Sequence, residues 1–156
     1  MKGCGFLITY AERRIQNEDL ALFREIEQVI DVMEIPDIGA DDYGRKIEVS
    51  CHMIAEAISR IYDVKLRHGY FMTSYEHSWV CTKNNNIIDV YPIATVGGPL
   101  LIDGVIILRN GPFYATKDDL IDNKSSKQDY KDAVDLVESS IREAIKKVTT
   151  RNEECL

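Results

Sequence analysis

Long apolar runs are missing from this chain. No stretch approaches the length needed to cross a bilayer, so a membrane protein is not expected. Clustered positive charge is missing too. Lys and Arg number 19 against 26 Asp and Glu, giving a net charge of −7, and no basic cluster stands out. A phosphate backbone calls for a basic face, so nucleic acid is not an expected partner. The four cysteines, Cys4, Cys51, Cys81 and Cys155, show no close pairing pattern. That argues against a disulfide framework and for reduced thiols in a cytoplasmic setting. Met1–Tyr10 has one lysine and a short apolar stretch but no small-residue cleavage site, so a signal peptide is not expected. Repeats, low-complexity tracts and linkers are absent as well.

What remains is an ordinary globular mix, 45% hydrophobic and 29% charged over 156 residues. This is enough for one domain, spanning 1–156, with a real core. Gly5–Tyr10 (GFLITY) is apolar and β-prone. Asn17 is placed to cap a helix whose dipole Glu18 and Asp19 complement. Leu20, Leu22, Phe23, Ile26, Ile30 and Val32 then recur near helical spacing, and Pro36 closes the run. Residues 35–49 read as a polar loop. Ser50 is a second N-cap, followed by a stripe of Met53, Ile54, Ala57, Ile58, Ile61 and Tyr62. Val64–Thr73 reads as a strand with a turn near Ser74 and Tyr75. His77–Cys81 and Ile87–Tyr91 read as a hairpin around the polar segment 83–86. Gly97, Gly98 and Pro99 mark a loop, and Gly104–Arg109 (GVIILR) reads as a further strand. A long helix then starts at Ser125 or Ser126. Its stripe is Tyr130, Ala133, Val134, Val137, Ile141, Ala144 and Ile145, and the tail from Thr149 is polar and expected to fray. The order implies an α+β fold, with helices on an antiparallel sheet.

The chemistry concentrates between Ser50 and Ile93. Cys51 falls in the first turn of its helix, where the dipole and free N–H groups stabilise a thiolate and can hold an oxyanion. A nucleophilic thiol needs a base, and the base an orienter; His77 and Asp89 can supply both. Asp89 lies in an apolar run, IIDVYPI, where a carboxylate needs a partner, and a histidine N–H is the natural one. Side chains alternate along strands, so the hairpin register decides whether the two share a face. A loop of Thr82, Lys83 and Asn84 sets His77 opposite Asp89. A turn centred on Asn84–Asn85 sets Asp89 opposite Val80 and separates the pair. Trp79 can shield the His77–Asp89 hydrogen bond or simply fill the core. His52 follows Cys51 by about 100° of helical rotation and does not share its face. His68 reads as a surface or packing residue, and Tyr75 and Glu76 as solvated residues flanking the site.

Ser50-Cys51-His52, then Val64–Phe71 (VKLRHGYF), His77-Ser78-Trp79 and Ile88-Asp89-Val90-Tyr91-Pro92 together resemble the transglutaminase-like superfamily of papain-fold cysteine enzymes. That pattern is a Cys at a helix N-terminus, a strand ending near Gly, an His-[Ala/Ser]-Trp strand and an Asp followed closely by Pro. The resemblance covers about the middle third of the chain. It implies a papain-like core with a Cys51–His77–Asp89 triad: Cys51 as nucleophile, His77 as base and Asp89 as orienter. It implies thiol protease, amidase, deamidase or acyl-transfer chemistry on a peptide, protein or small amide, without a cofactor. The chain departs from the pattern at three points. His52 stands where many members have an aromatic, Val90 and Tyr91 separate Asp89 from Pro92, and no upstream side chain is assigned to the oxyanion hole.

Two other classes compete. A binding module could keep this fold and merely pack its cysteine. A zinc site could use Cys51, His52, His77 and Cys81. Against zinc, His77 and Cys81 on one strand lie roughly 13 Å apart, too far to share an ion.

Overall fold

The structure is a computed structural model and describes residues 15–90, 99–104, 114–117 and 127–154. Helix α1 spans Asn17–Val32. Its cap is Gln16, not Asn17, and no side chain caps it; the Asp19 and Leu20 amides donate to the Gln16 carbonyl instead. A local cap is dispensable because Asp19 ties this end of the helix to the sheet. It is buried, and its carboxylate accepts from Thr82 Oγ1 at 2.7 Å and Asn86 Nδ2 at 2.6 Å. The helix stops at Val32, where Met33 turns extended ahead of Pro36.

Helix α2 spans Cys51–Ile61. Ser50 caps it as expected, its Oγ accepting the Met53 amide at 3.4 Å. Ile54, Ala55, Ala57 and Ile58 are its buried face. Each isoleucine contributes about 2 kcal/mol of apolar burial. The two alanines let neighbouring elements come close. Helix α3 spans Gln128–Glu154, and Ala133, Val134, Val137, Ile141 and Ala144 of the expected stripe are buried. Its end does not fray at Thr149. Val148 still packs on the core, and Thr149 and Thr150 return their hydroxyls to the carbonyls of Ile145 and Lys146 at 3.0 Å.

Five strands form one antiparallel sheet: β1 (Lys65–Phe71), β2 (Tyr75–Cys81), β3 (Ile87–Asp89), β4 (Leu100–Ile102) and β5 (Tyr114–Thr116), in the order β4-β3-β2-β1-β5. The fold is α+β, with helices packed on this sheet. One sheet face, including Val80, Ile88 and Leu101, joins residues of α1, α2 and α3 in the main core. A smaller cluster holds Trp79, Ile87 and Tyr114, with Phe71, Cys81 and Ile102 packed against it.

β1 is shorter than the expected Val64–Thr73. Phe71 pairs with Tyr75, and Met72 and Thr73 enter the left-handed region at φ 48° and 72°. The turn therefore precedes Tyr75. β4 and β5 are short strands that the apolar pattern did not announce. Gly5–Tyr10, Gly97–Gly98, all but the first residue of the strand expected at Gly104–Arg109, the helix start at Ser125 or Ser126, Cys4 and Cys155 lie outside the described residues.

Candidate active site

The β2–β3 hairpin adopts neither register weighed from the sequence. Val80 pairs with Ile88 and Cys81 with Ile87. Thr82 and Asn86 close the loop through a backbone bond of 2.9 Å, and Asn85 takes the left-handed conformation at φ 62°. The loop residues are therefore Lys83, Asn84 and Asn85, one position later than the loop that sets His77 opposite Asp89. In this register Asp89 falls opposite Trp79 and diagonal to His77. Moving the loop by one residue moves the pairing by two, and an even slip keeps every side chain on its face. The pair survives the change: His77 Nε2 lies 2.7 Å from Asp89 Oδ2. Thr82, Asn86 and Asp19 hold the loop in place, and Asn86 Oδ1 also accepts the Gly104 amide at 3.4 Å.

Cys51 opens α2 as a free, half-buried thiol. It lies close enough to His77 to favour the charged imidazole. Because Nε2 is engaged by Asp89, the nitrogen left for the thiol is Nδ1. His77 thus stands beside a thiol and is hydrogen-bonded to a wholly buried carboxylate. Burial is the largest influence on its charge and opposes it. The hydrogen bonds and negative charges of Asp89 and Cys51 together outweigh burial and raise the imidazole from 6.5 to about 9.

A residue missed in the sequence completes the polar chain. Tyr114 on β5 donates its hydroxyl to the same Asp89 Oδ2 at 2.6 Å. Burial first, then the charge and hydrogen bond of Asp89, push its phenol far above the ordinary tyrosine range. Phe71 and Tyr114 pack on His77 with ring centroids 5.7 and 6.4 Å away, and Trp79 stacks beside it at 6.3 Å and 25°. Trp79, 1% exposed, therefore both fills the core and walls the imidazole from water. Gly69, paired with His77 across β1 and β2, leaves the room: a Cβ there would strike the Ala115 carbonyl and come within 2.9 Å of the Trp79 ring.

Tyr130 of α3 stands near Cys51. Burial above all, then Glu56 and Cys51, raise its phenol beyond the normal range. Glu56 acts on this hydroxyl from close by, yet the hydroxyl makes no hydrogen bond of good geometry.

His52 and Cys51 meet different partners, as their angular separation requires. His52 Nδ1 lies 2.6 Å from Ser78 Oγ, and His68 Nδ1 lies 2.6 Å from the same atom. His68 is therefore part of a polar cluster, beyond the surface or packing role read from its neighbours. Tyr75 and Glu76 are exposed beside the turn. His77 and Cys81 sit four positions apart on β2, and no group of three or more His, Cys, Asp or Glu among the described residues is arranged to hold a metal. No helix among the described residues is long and apolar enough to cross a membrane. No family model matches the chain, and no curated protein or solved structure is significantly similar to it.

Proposed function

We propose that this protein is a cysteine-dependent acyl-transfer enzyme using a Cys51–His77–Asp89 triad on a papain-like core of the transglutaminase-like kind. The observation that carries this reading is His77 itself, one imidazole hydrogen-bonded to a buried carboxylate and close enough to a helix-borne thiol for the sulfur to favour its charge. The His-Ser-Trp strand and the Ser50-capped helix support it independently.

In the reaction proposed, His77 as imidazolium pairs with the Cys51 thiolate. The sulfur attacks the carbonyl carbon of an amide, forming an S–C bond as the carbonyl π pair moves to oxygen. N–H groups at the start of α2, the Cys51 amide among them, would hold that oxyanion. The tetrahedral species collapses with cleavage of C–N, and His77 gives its proton to the departing amine. Water or an amine then attacks the thioester, His77 takes the proton, and the thiolate leaves. Asp89 keeps the Nε2 proton directed at itself and Nδ1 directed at sulfur.

The test is the alkylation rate of each thiol by iodoacetamide from pH 5 to 9, mapped by mass spectrometry. Cys51 is expected to react faster at pH 6 than Cys4, Cys81 or Cys155. His77→Ala should slow it at least about tenfold and Asp89→Asn less. If Cys51 is the slowest thiol at every pH and neither substitution changes its rate, it is a packing residue and the reading is wrong.

A further inference from the structure

Two histidines outside the triad converge on one wholly buried hydroxyl. Ser78 is 0% exposed, and its Oγ lies 2.6 Å from Nδ1 of His52 and 2.6 Å from Nδ1 of His68. The imidazole rings stand 6.4 Å apart, tilted by 52°. A hydroxyl has one hydrogen, so Ser78 can donate to only one ring, and the other ring must donate its N–H to Oγ. The three side chains come from three elements: His52 from the first turn of α2, His68 from β1 and Ser78 from β2.

Their places in the chain give the cluster its meaning. His52 follows the nucleophile, Ser78 follows the base, and His68 precedes Gly69, which pairs with that base. The bond from His52 to Ser78 thus links the residue after Cys51 to the residue after His77, on the sheet face that α2 covers and opposite the one that carries His77 and Asp89. We propose that Ser78, held between His52 and His68, is a positioning residue that fixes the Cys51 end of α2 against the strand carrying His77. This inference rests on the triad reading and deepens it. A thiol and an imidazole on separate elements need a fixed separation, and misplacement by about 1 Å can cost on the order of a hundredfold in rate. Ser50 fixes the start of α2 only locally, through its own Met53 amide; the Ser78 cluster fixes it to the sheet.

The experiment combines Cys51 alkylation between pH 5 and 9 with backbone hydrogen exchange in the first turn of α2, on the full chain. Ser78→Ala removes the hydroxyl and little volume. It should slow Cys51 alkylation at pH 6 by about tenfold while leaving alkaline rates near those of the parent, and it should speed exchange of the first-turn amides. General loosening would instead speed labelling of every thiol at all pH values. Asn can set an amide near the place of a histidine Nδ1, so His52→Asn should keep most of the acid-side reactivity and His52→Leu should lose it. The same comparison at His68 serves if Ser78→Ala does not fold. Parent-like alkylation and exchange in Ser78→Ala, or equal behaviour of the Asn and Leu variants, overturns the positioning role while leaving the triad intact. If the parent Cys51 shows no acid-side reactivity, the triad reading falls. Exchange alone then decides the clamp: faster in Ser78→Ala supports it, unchanged overturns it.

Discussion

Asp89 is the residue on which the candidate site turns. It is fully buried, and an unpaired carboxylate in that position would cost several kcal/mol. His77 and Tyr114 both direct hydrogens at its Oδ2, at 2.7 and 2.6 Å. Tyr114 therefore shares in satisfying the buried carboxylate, while His77 alone stands between it and the Cys51 sulfur. Tyr114→Phe keeps the ring that packs on His77, Phe71 and Trp79 and removes only the donor. The loss should be about 1–3 kcal/mol, the usual range for stripping a partner from a buried polar group, read by urea denaturation at pH 7. Cys51 alkylation should fall less than in Asp89→Asn, because the carboxylate charge facing His77 remains. Tyr114 escaped the sequence because its short strand follows a Gly-Pro segment and carries no periodic pattern. Asp89 was legible for the opposite reason: a lone charge in an apolar run calls for a partner.

At the scale of elements, two hairpin loops decide what the site looks like. In the β2–β3 hairpin the asparagine-rich loop allowed several registers, and local propensity did not choose among them. The choice comes from tertiary bonds: Asn86 reaches Gln16 Oε1 at 2.8 Å and Asp19 at 2.6 Å, partners about seventy positions away. No reading of the loop alone could contain those partners. The apolar periodicity of α1, α2 and α3 was legible because burial of one helical face imposes it. The β1–β2 loop is less comfortable. Met72 and Thr73 both have positive φ, and a β-branched residue there is strained. Thr73→Gly should remove about 1–2 kcal/mol of left-handed cost and add roughly 0.5–1 kcal/mol of backbone entropy, for a net gain in stability of up to about 1.5 kcal/mol. Denaturant midpoints with an unchanged m-value would establish it. A loss of stability would mean that the threonine side chain holds the turn.

Across the whole molecule, the helices take one face of the sheet for the main core, and the smaller Trp79–Ile87–Tyr114 cluster forms around the His77–Asp89 pair. The chain has three histidines, and all three end in polar contacts around α2 and β2. The nearness of Cys51, His77 and Asp89 could be expected from residue types and order, but the convergence of His52 and His68 on Ser78 could not. It depends on how α2 lies across β1 and β2, which periodicity leaves open. This burial of ionisable groups makes global stability depend on pH. His77 rises from 6.5 to about 9 in the folded chain: burial opposes the charge, and Asp89 and Cys51 overcome it. A folded-state value above the unfolded one means that the native state holds the proton longer. The stabilisation from His77 is therefore complete below about pH 6.5, declines as pH rises through that window, and is lost above about 9. The unfolding free energy of the parent minus that of His77→Gln should accordingly be flat from pH 5 to 6.5 and then fall by on the order of 2–3 kcal/mol by pH 9.5. Cys51→Ala takes away one of the two groups that favour the imidazolium, so in that background the fall should finish at lower pH. Asp89→Asn takes away the other and should shrink the fall further. A difference that instead grows with pH would show that His77 is buried neutral, without the ion pair on which the proposed chemistry depends.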